Sequence, residues 1–159
     1  SEATRDITEY LLSLPALESA RPTGQVVAYH SACSMQHGQK ITDGPKRLLR
    51  AAGFQVRDVP EGHICCGSAG VYNILQPTYA ERLGARKAAN IERVRPQIIA
   101  TGNIGCITQI GTKTQIPILH TIELLDWAAG GPLPEALEGA GDTLAEAVHE
   151  PSLAGQLQA

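Results

Sequence analysis

Aromatic side chains are scarce, with four Tyr, one Trp and one Phe making up 4% of 159 residues beside a single Met. The core must therefore rest on Leu, Ile, Val and Ala. Charge of one sign is lacking as well: 13 basic against 16 acidic residues give a net charge of −3, with no dense basic patch. That argues against nucleic acid as a partner. No apolar run approaches the roughly eighteen residues of a membrane span. Neither a signal-peptide pattern nor a dinucleotide-binding glycine fingerprint is found, and no C-x-x-C pair occurs. Long-range disulfides of an exported protein thus lack support. The length suits one domain, with or without tails. The apolar fraction of 43% and charged fraction of 18% are those of an ordinary globular chain. The chain opens on Ser1-Glu2-Ala3 without Met, so a fragment is expected.

What stands out against this background is Ile64-Cys65-Cys66-Gly67-Ser68-Ala69-Gly70. Two adjacent thiols can address one centre only where the backbone is bent and uncrowded, and the glycines permit the positive φ of such bends. The two other cysteines flank the pair, Cys33 with thirty-one residues between and Cys106 with thirty-nine. A shared site must therefore be assembled by the fold. Four unrelated buried thiols are the plainer alternative, because free cysteine packs as a small hydrophobe. A vicinal disulfide between Cys65 and Cys66 would need a strained ring.

Taken in order, residues 6–14 read as a short amphipathic helix with an Asp6/Glu9 capping box, followed by a linker through Gly24. Gln25 to His30 reads as a buried strand and Ser31 to Lys40 as a polar loop. Asp43 and Pro45 begin a helix that ends at Gly53, and Phe54 to Val59 is a second strand. Pro77 to Arg95 is the longest helical pattern, its apolar side set by Ala80, Leu83, Gly84, Ala88, Ile91 and Val94. Arg82, Arg86, Lys87, Glu92 and Arg93 are expected on its solvated face. A third strand spans Gln97 to Thr101 and is followed by a loop to Cys106. Ile116 to His120 gives a fourth strand, with Pro117 tolerated at its start or at an edge. Thr121 is expected to cap a helix through Ala128 that stops at Gly130. A further helix is expected at Leu144 to His149, with loosely ordered final residues.

This alternation predicts an α/β, Rossmann-like fold with a mainly parallel four-stranded sheet and flanking helices. Expected boundaries are an N-terminal helix and linker over 1–24, a cysteine-rich domain over 25–130 and a tail over 131–159. The cysteines then share an address: Cys33 follows the first strand, Cys65-Cys66 the second and Cys106 the third. All such loops leave a parallel sheet at its carboxyl edge.

An all-thiolate set selects zinc or an iron–sulfur cluster. Structural zinc sites usually draw on close C-x-x-C pairs, which favours the cluster here. His30, His37, His63 and His120 are expected near the same edge in a supporting role, though one of them can replace a cysteine in a zinc site. Gly105-x5-Gly111-Thr-Lys-Thr has a gap one residue too long for a phosphate loop. A Cys33–His37 nucleophile would leave the cysteine pair unexplained.

Tyr29-His30-x-x-Cys33, Cys65-Cys66-Gly67-Ser68-Ala69-Gly70 and Asn103-Ile104-Gly105-Cys106 together resemble the cysteine-rich "CCG" domain. That domain occurs in the cysteine-rich subunit of heterodisulfide reductase and in iron–sulfur subunits of flavin-linked 2-hydroxy-acid and glycerol-phosphate dehydrogenases. Val59-Pro60-Glu61-Gly62-His63, Tyr72-Asn73-Ile74-Leu75-Gln76-Pro77 and His120-Thr121-Ile122-Glu123-Leu124-Leu125-Asp126 resemble the C-terminal domain of the glycolate oxidase iron–sulfur branch. The likeness runs from about residue 6 to 128. It implies a cytoplasmic subunit that can associate peripherally with the inner face of the membrane through its complex. Such a subunit passes electrons from flavin-containing subunits, where glycolate becomes glyoxylate, towards a quinone-type acceptor. In that family ferredoxin-like motifs precede two such domains, so this chain resembles the last third and needs the remainder of the iron–sulfur subunit. Alone it is not expected to oxidise glycolate. The fuller motif ends in C-x-x-C, whereas Cys106-Ile107-Thr108-Gln109 ends in Gln109. Four thiolates remain, which suits a [4Fe-4S] cluster, zinc, or an empty site in an isolated fragment.

Overall fold

The computed structural model describes residues 4–15, 20–21 and 23–139. Strand β1 (Val26–His30) is a run of apolar and β-forming residues and is almost wholly buried. Such runs belong to strands covered on both faces. β1 lies inside a four-stranded sheet of order β2-β1-β3-β4, where β2 is Gln55–Asp58, β3 is Ile98–Thr101 and β4 is Ile118–His120. Every pairing is parallel, with Val27 opposite Val56 and Ile98, and Thr101 opposite both His30 and His120. The α/β architecture with a parallel sheet and flanking helices is thus as expected.

Alternation along β1 sends Val27 and Tyr29 to one face and Ala28 and His30 to the other. The first face packs on α2 (Gly44–Ala51) and α6 (Thr121–Ala128) through Leu48, Leu49, Leu124, Leu125 and Trp127. Leu11 and Leu12 of α1 (Ile7–Leu12) and the buried Leu137 join this core from outside residues 25–130. The second face packs Ala28 and Ile99 against Ile91 of α4 (Pro77–Glu92) and Ile110 of α5 (Ile104–Gly111), and this layer contains Cys66 and Cys106. Two of the thiols are therefore core residues. A short helix α3 (Tyr72–Leu75) precedes α4.

Several local expectations change. The stretch after β1 is a π-helical turn, Ser34–Gln39, rather than an open loop. The supposed loop to Cys106 ends in α5, because the Asn103 side chain accepts from the Cys106 amide at 3.1 Å and starts a helix. Asp43 makes no capping bond and instead pairs with Arg50 at 3.7 Å. The α1 capping box forms as expected, with Asp6 accepting from the Thr8 amide and Glu9 accepting from the Asp6 amide. The helix expected at Leu144 to His149 lies outside the described residues.

The cap of α6 is His120, not Thr121. Its Nδ1 accepts from the Ile122 amide at 3.2 Å while Glu123 accepts from the His120 amide at 2.7 Å. A ring nitrogen here fills the place usually taken by a short oxygen side chain. His120→Ala is expected to lower the stability of the metal-free protein by about 1 kcal/mol in urea denaturation. Metal content should be unchanged, since this ring nitrogen serves the helix.

Candidate metal centre

In the order β2-β1-β3-β4 the chain leaves β1 towards β2 and then crosses over to β3 on the other side. Loops after β1 and β3 therefore diverge, opening the crevice where such sheets place their sites. Cys33 heads the turn after β1, and Cys106 sits in the first turn of α5 after β3. The long connection after β2 brings Cys65 and Cys66 across. All four cysteines line one cavity of about 410 Å³, walled also by Ala32, Ser34, Ser68 and Asn103. None is in a disulfide.

The bend at the pair has a clear cause. Gly67 takes φ +91°, and the Gly67 amide donates to the Cys65 sulfur at 3.3 Å. Ala69 and Gly70 also have positive φ, so the chain doubles back around the cavity mouth. Gly105 lets this turn approach, because a Cβ there would meet the Ser68 hydroxyl at 2.5 Å.

Within the cavity, the Cys66 and Cys106 sulfurs are 3.3 Å apart. The hydrogen bond shared with Cys106 holds Cys66 well below the usual thiol range, with help from His30 and the Ser68 backbone. The same bond and burial push Cys106 up, so Cys106 keeps the shared proton and Cys66 is the thiolate. Burial, then the neighbouring Cys65, raises Cys33 to about 11. Cys66 is the first thiolate of the set, and an entering cation would displace protons from the other thiols that ligate it. His30, Cys66 and Cys106 offer ligand atoms all within 4.8 Å of one another, while Cys33 and Cys65 stand outside this tight set.

Of the supporting residues expected from sequence, only His30 meets the thiols. It is buried on the second face of β1, and its Nε2 has no hydrogen-bond partner among the described residues. His37 is exposed on the π-helical turn. His63, also exposed, lines a second cavity of about 260 Å³ with Tyr29, Ser31, Lys46 and Asp58, and His30 lines this cavity too. Gln109 turns away, its amide donating to the Ala80 carbonyl of α4 at 3.3 Å. His120 caps α6.

A residue assigned to the solvated face of α4 proves otherwise: Lys87 is fully buried. Its ammonium donates to the carbonyls of Glu61 at 3.0 Å and Gly62 at 3.3 Å. The signal was its position, since Lys87 follows Gly84 by three and precedes Ile91 by four, on the apolar stripe itself. The Glu61 carboxylate is gripped in turn by Arg86, at 2.9 Å through Nε, and by Asn90 at 2.8 Å. Helix α4 thus clamps the loop leading to the cysteine pair, with Glu61 itself at φ +52°.

That clamp is pH-dependent. The hydrogen bond from Arg86, followed by that from Asn90, lowers Glu61 from 4.5 to about 2. Because the folded value is depressed, its contribution is complete above the unfolded value and is withdrawn as pH falls towards 2. Wild type should therefore lose stability between about pH 4.5 and 2 more steeply than Glu61→Gln, as read by thermal unfolding of the metal-free protein at each pH.

No helix among the described residues is long and apolar enough to cross a membrane. The family model for the cysteine-rich domain CCG matches residues 27–111. The glycolate oxidase iron-sulfur subunit of Escherichia coli (strain K12) is 35% identical over 128 residues, covering 80% of this chain and 31% of that protein. The probable glycolate oxidase iron-sulfur subunit of Bacillus subtilis (strain 168) is 28% identical, covering 79% of this chain and 31% of the relative. Lactate utilization protein A of Anoxybacillus flavithermus is 26% identical, covering 79% and 56%. The chain thus spans about a third of the glycolate relatives and little more than half of the lactate one. The matched stretch runs from β1 through α5 and carries every cysteine of the cavity, and on that ground the chain belongs to the CCG cysteine-rich domain family.

Proposed function

We propose that the cavity holds a [4Fe-4S] cluster through Cys33, Cys65, Cys66 and Cys106, and that the domain conducts electrons within a 2-hydroxy-acid-oxidising complex. Electrons arrive from a flavin-containing subunit where glycolate or a close relative is oxidised, and leave towards a quinone-type acceptor. Residues 25–130 form the working unit, with α1 and Leu137 sealing its core. The remainder of the iron–sulfur subunit completes the path at the cytoplasmic face of the membrane. The observation that carries this reading is the gathering of all four thiols, from three separate connections, in one cavity. A single tetrahedral zinc would draw its sulfurs to about 3.8 Å from one another. Cys33 and Cys65 stand outside the tight set, so the thiols are spread more widely than one ion requires. A cluster supplies one-electron storage, and soft thiolates are its usual ligands.

A second reading has its own observation. Among the described residues His30, Cys66 and Cys106 are close enough for one ion, and the His30 Nε2, unpartnered there, offers a ligand atom. On that reading a zinc ion, with no redox role, holds the loops of an interaction module together. Anaerobic reconstitution followed by metal and sulfide analysis separates the two. The cluster reading expects iron and sulfide in equal amounts and an iron–sulfur absorbance that bleaches on reduction. Stoichiometric zinc without iron, lost in His30→Ala, would establish the second reading instead.

A further inference from the structure

Lys87 is fully buried on α4, between Gly84, where a Cβ would stand 3.4 Å from the Cys66 carbonyl oxygen, and Ile91, which packs with Cys66 and Cys106. Removing an ammonium from water costs several kcal/mol unless an opposite charge or a full set of hydrogen bonds offsets it. Here the two hydrogen bonds go to neutral carbonyls, those of Glu61 and Gly62. The nearby Glu61 carboxylate is bound by Arg86 and Asn90 instead. No salt bridge to Lys87 is formed among the described residues. Burial pushes the Lys87 ammonium down, and what pushes back is first Cys66, then Cys33 and Cys65, with Glu61 behind them. The negative charge this lysine faces is first of all that of Cys66.

A need to fix the loop does not account for the charge. A neutral donor such as Gln would hold the same carbonyls without the desolvation cost of a buried charge. The protein instead keeps a cation under the loop that leads to Cys65 and Cys66. Four thiolates around zinc or around an oxidised four-iron core leave a net double negative charge, and reduction of the cluster adds another.

From this we infer that Lys87 is the built-in countercharge of the metal centre, a positioning and tuning residue that strengthens metal binding and favours the reduced cluster. The inference rests on the proposed metal site. Because Lys87 reaches the centre through space and not by ligation, it acts on the energy of the bound state while leaving the ligand set intact. A buried positive charge stabilises the more negative oxidation state and so raises the potential.

The test uses the full chain, reconstituted anaerobically with iron and sulfide and, separately, loaded with zinc. Lys87→Met removes charge and hydrogen bonds, Lys87→Gln removes charge but keeps a donor for the Glu61 and Gly62 carbonyls, and Lys87→Arg keeps charge. Both neutral variants should bind metal about ten- to a hundredfold more weakly. Where the cluster is retained, its midpoint potential should fall below wild type. Lys87→Arg should recover much of either loss, and metal-free Lys87→Gln, which keeps a donor, should melt close to wild type. Complete loss of metal from both neutral variants with unchanged melting of metal-free Lys87→Gln also supports the inference. It is overturned if Lys87→Gln matches wild type in metal affinity and potential while Lys87→Met fails, which would make the lysine a loop clamp. Equal destabilisation of both metal-free neutral variants, or unaltered affinity and potential in both, would overturn it too. A wild-type chain that takes up neither iron nor zinc would instead remove the proposed metal site, and the inference with it.

Discussion

Cys66→Ser is expected to leave the reconstituted protein with less than about a tenth of the wild-type iron, and Cys106→Ser should do the same. Serine offers a hard oxygen that stays protonated near neutral pH, where a soft thiolate is needed. Cys66 and Cys106 are also core residues packed among Ala28, Ile91, Ile99 and Ile110. A hydroxyl placed there must find a partner, or it costs about 1–3 kcal/mol. The metal-free forms of these two variants should therefore unfold at lower urea than wild type. Cys33→Ser and Cys65→Ser, at half-buried positions on the cavity wall, should lose the metal with little change in metal-free stability. That split between metal content and stability distinguishes ligands from packed thiols. Gln109→Ala is the control: its amide is engaged by Ala80 of α4, so metal content should stay near wild type. If Gln109→Ala loses as much iron as Cys106→Ser, the fourth ligand has been misassigned. If all four serine variants keep their iron, the thiols are structural.

The convergence of the cysteines was legible in the sequence because it follows from topology. Val27, Ala28, Ile98 and Ile99 form short apolar runs that only a doubly covered strand explains, and parallel strands send every following loop to one edge. Less legible were features decided by a single residue's direction. His30, His63 and His120 all lie near the carboxyl edge, yet only His30 alternates onto the face shared with Cys66 and Cys106. Sequence spacing cannot say which of three edge histidines turns inwards, since a one-residue change of register reverses the answer. Helix α5 was hidden by Gly102 and Gly105, which read as loop residues although Asn103 is a good cap and Ile107 and Ile110 keep helical spacing. Lys87 was hidden by its charge. Its position on the stripe argued for burial, but burial of a lysine makes sense only once an opposing charge is known to be nearby, and that charge comes from loops far from it in the chain.

Gly67→Ala should damage both the stability of the protein and its metal centre. At φ +91° an L side chain is strained, a penalty of about 1 kcal/mol. Space is the larger problem, because a Cβ would stand 2.6 Å from the Ala80 carbonyl oxygen and 3.0 Å from its Cα. Those are backbone atoms near the start of α4, held by helical hydrogen bonds, so they cannot rotate aside as the Ser68 hydroxyl can beside Gly105. Overpacking of this kind adds about 1–3 kcal/mol. The loop can relieve it only by lifting from α4, and that movement carries Cys66 away from Cys106. Gly67→Ala is thus expected to lose about 2–4 kcal/mol of metal-free stability in urea denaturation, together with most of its bound metal. Gly70→Ala provides the comparison, since Gly70 has φ +63° but no atom within 4 Å of the added Cβ. It should lose only about 1 kcal/mol and bind metal nearly as wild type. Should the two variants prove equally stable and equally loaded with iron, the contact with Ala80 is not what shapes the cysteine bend.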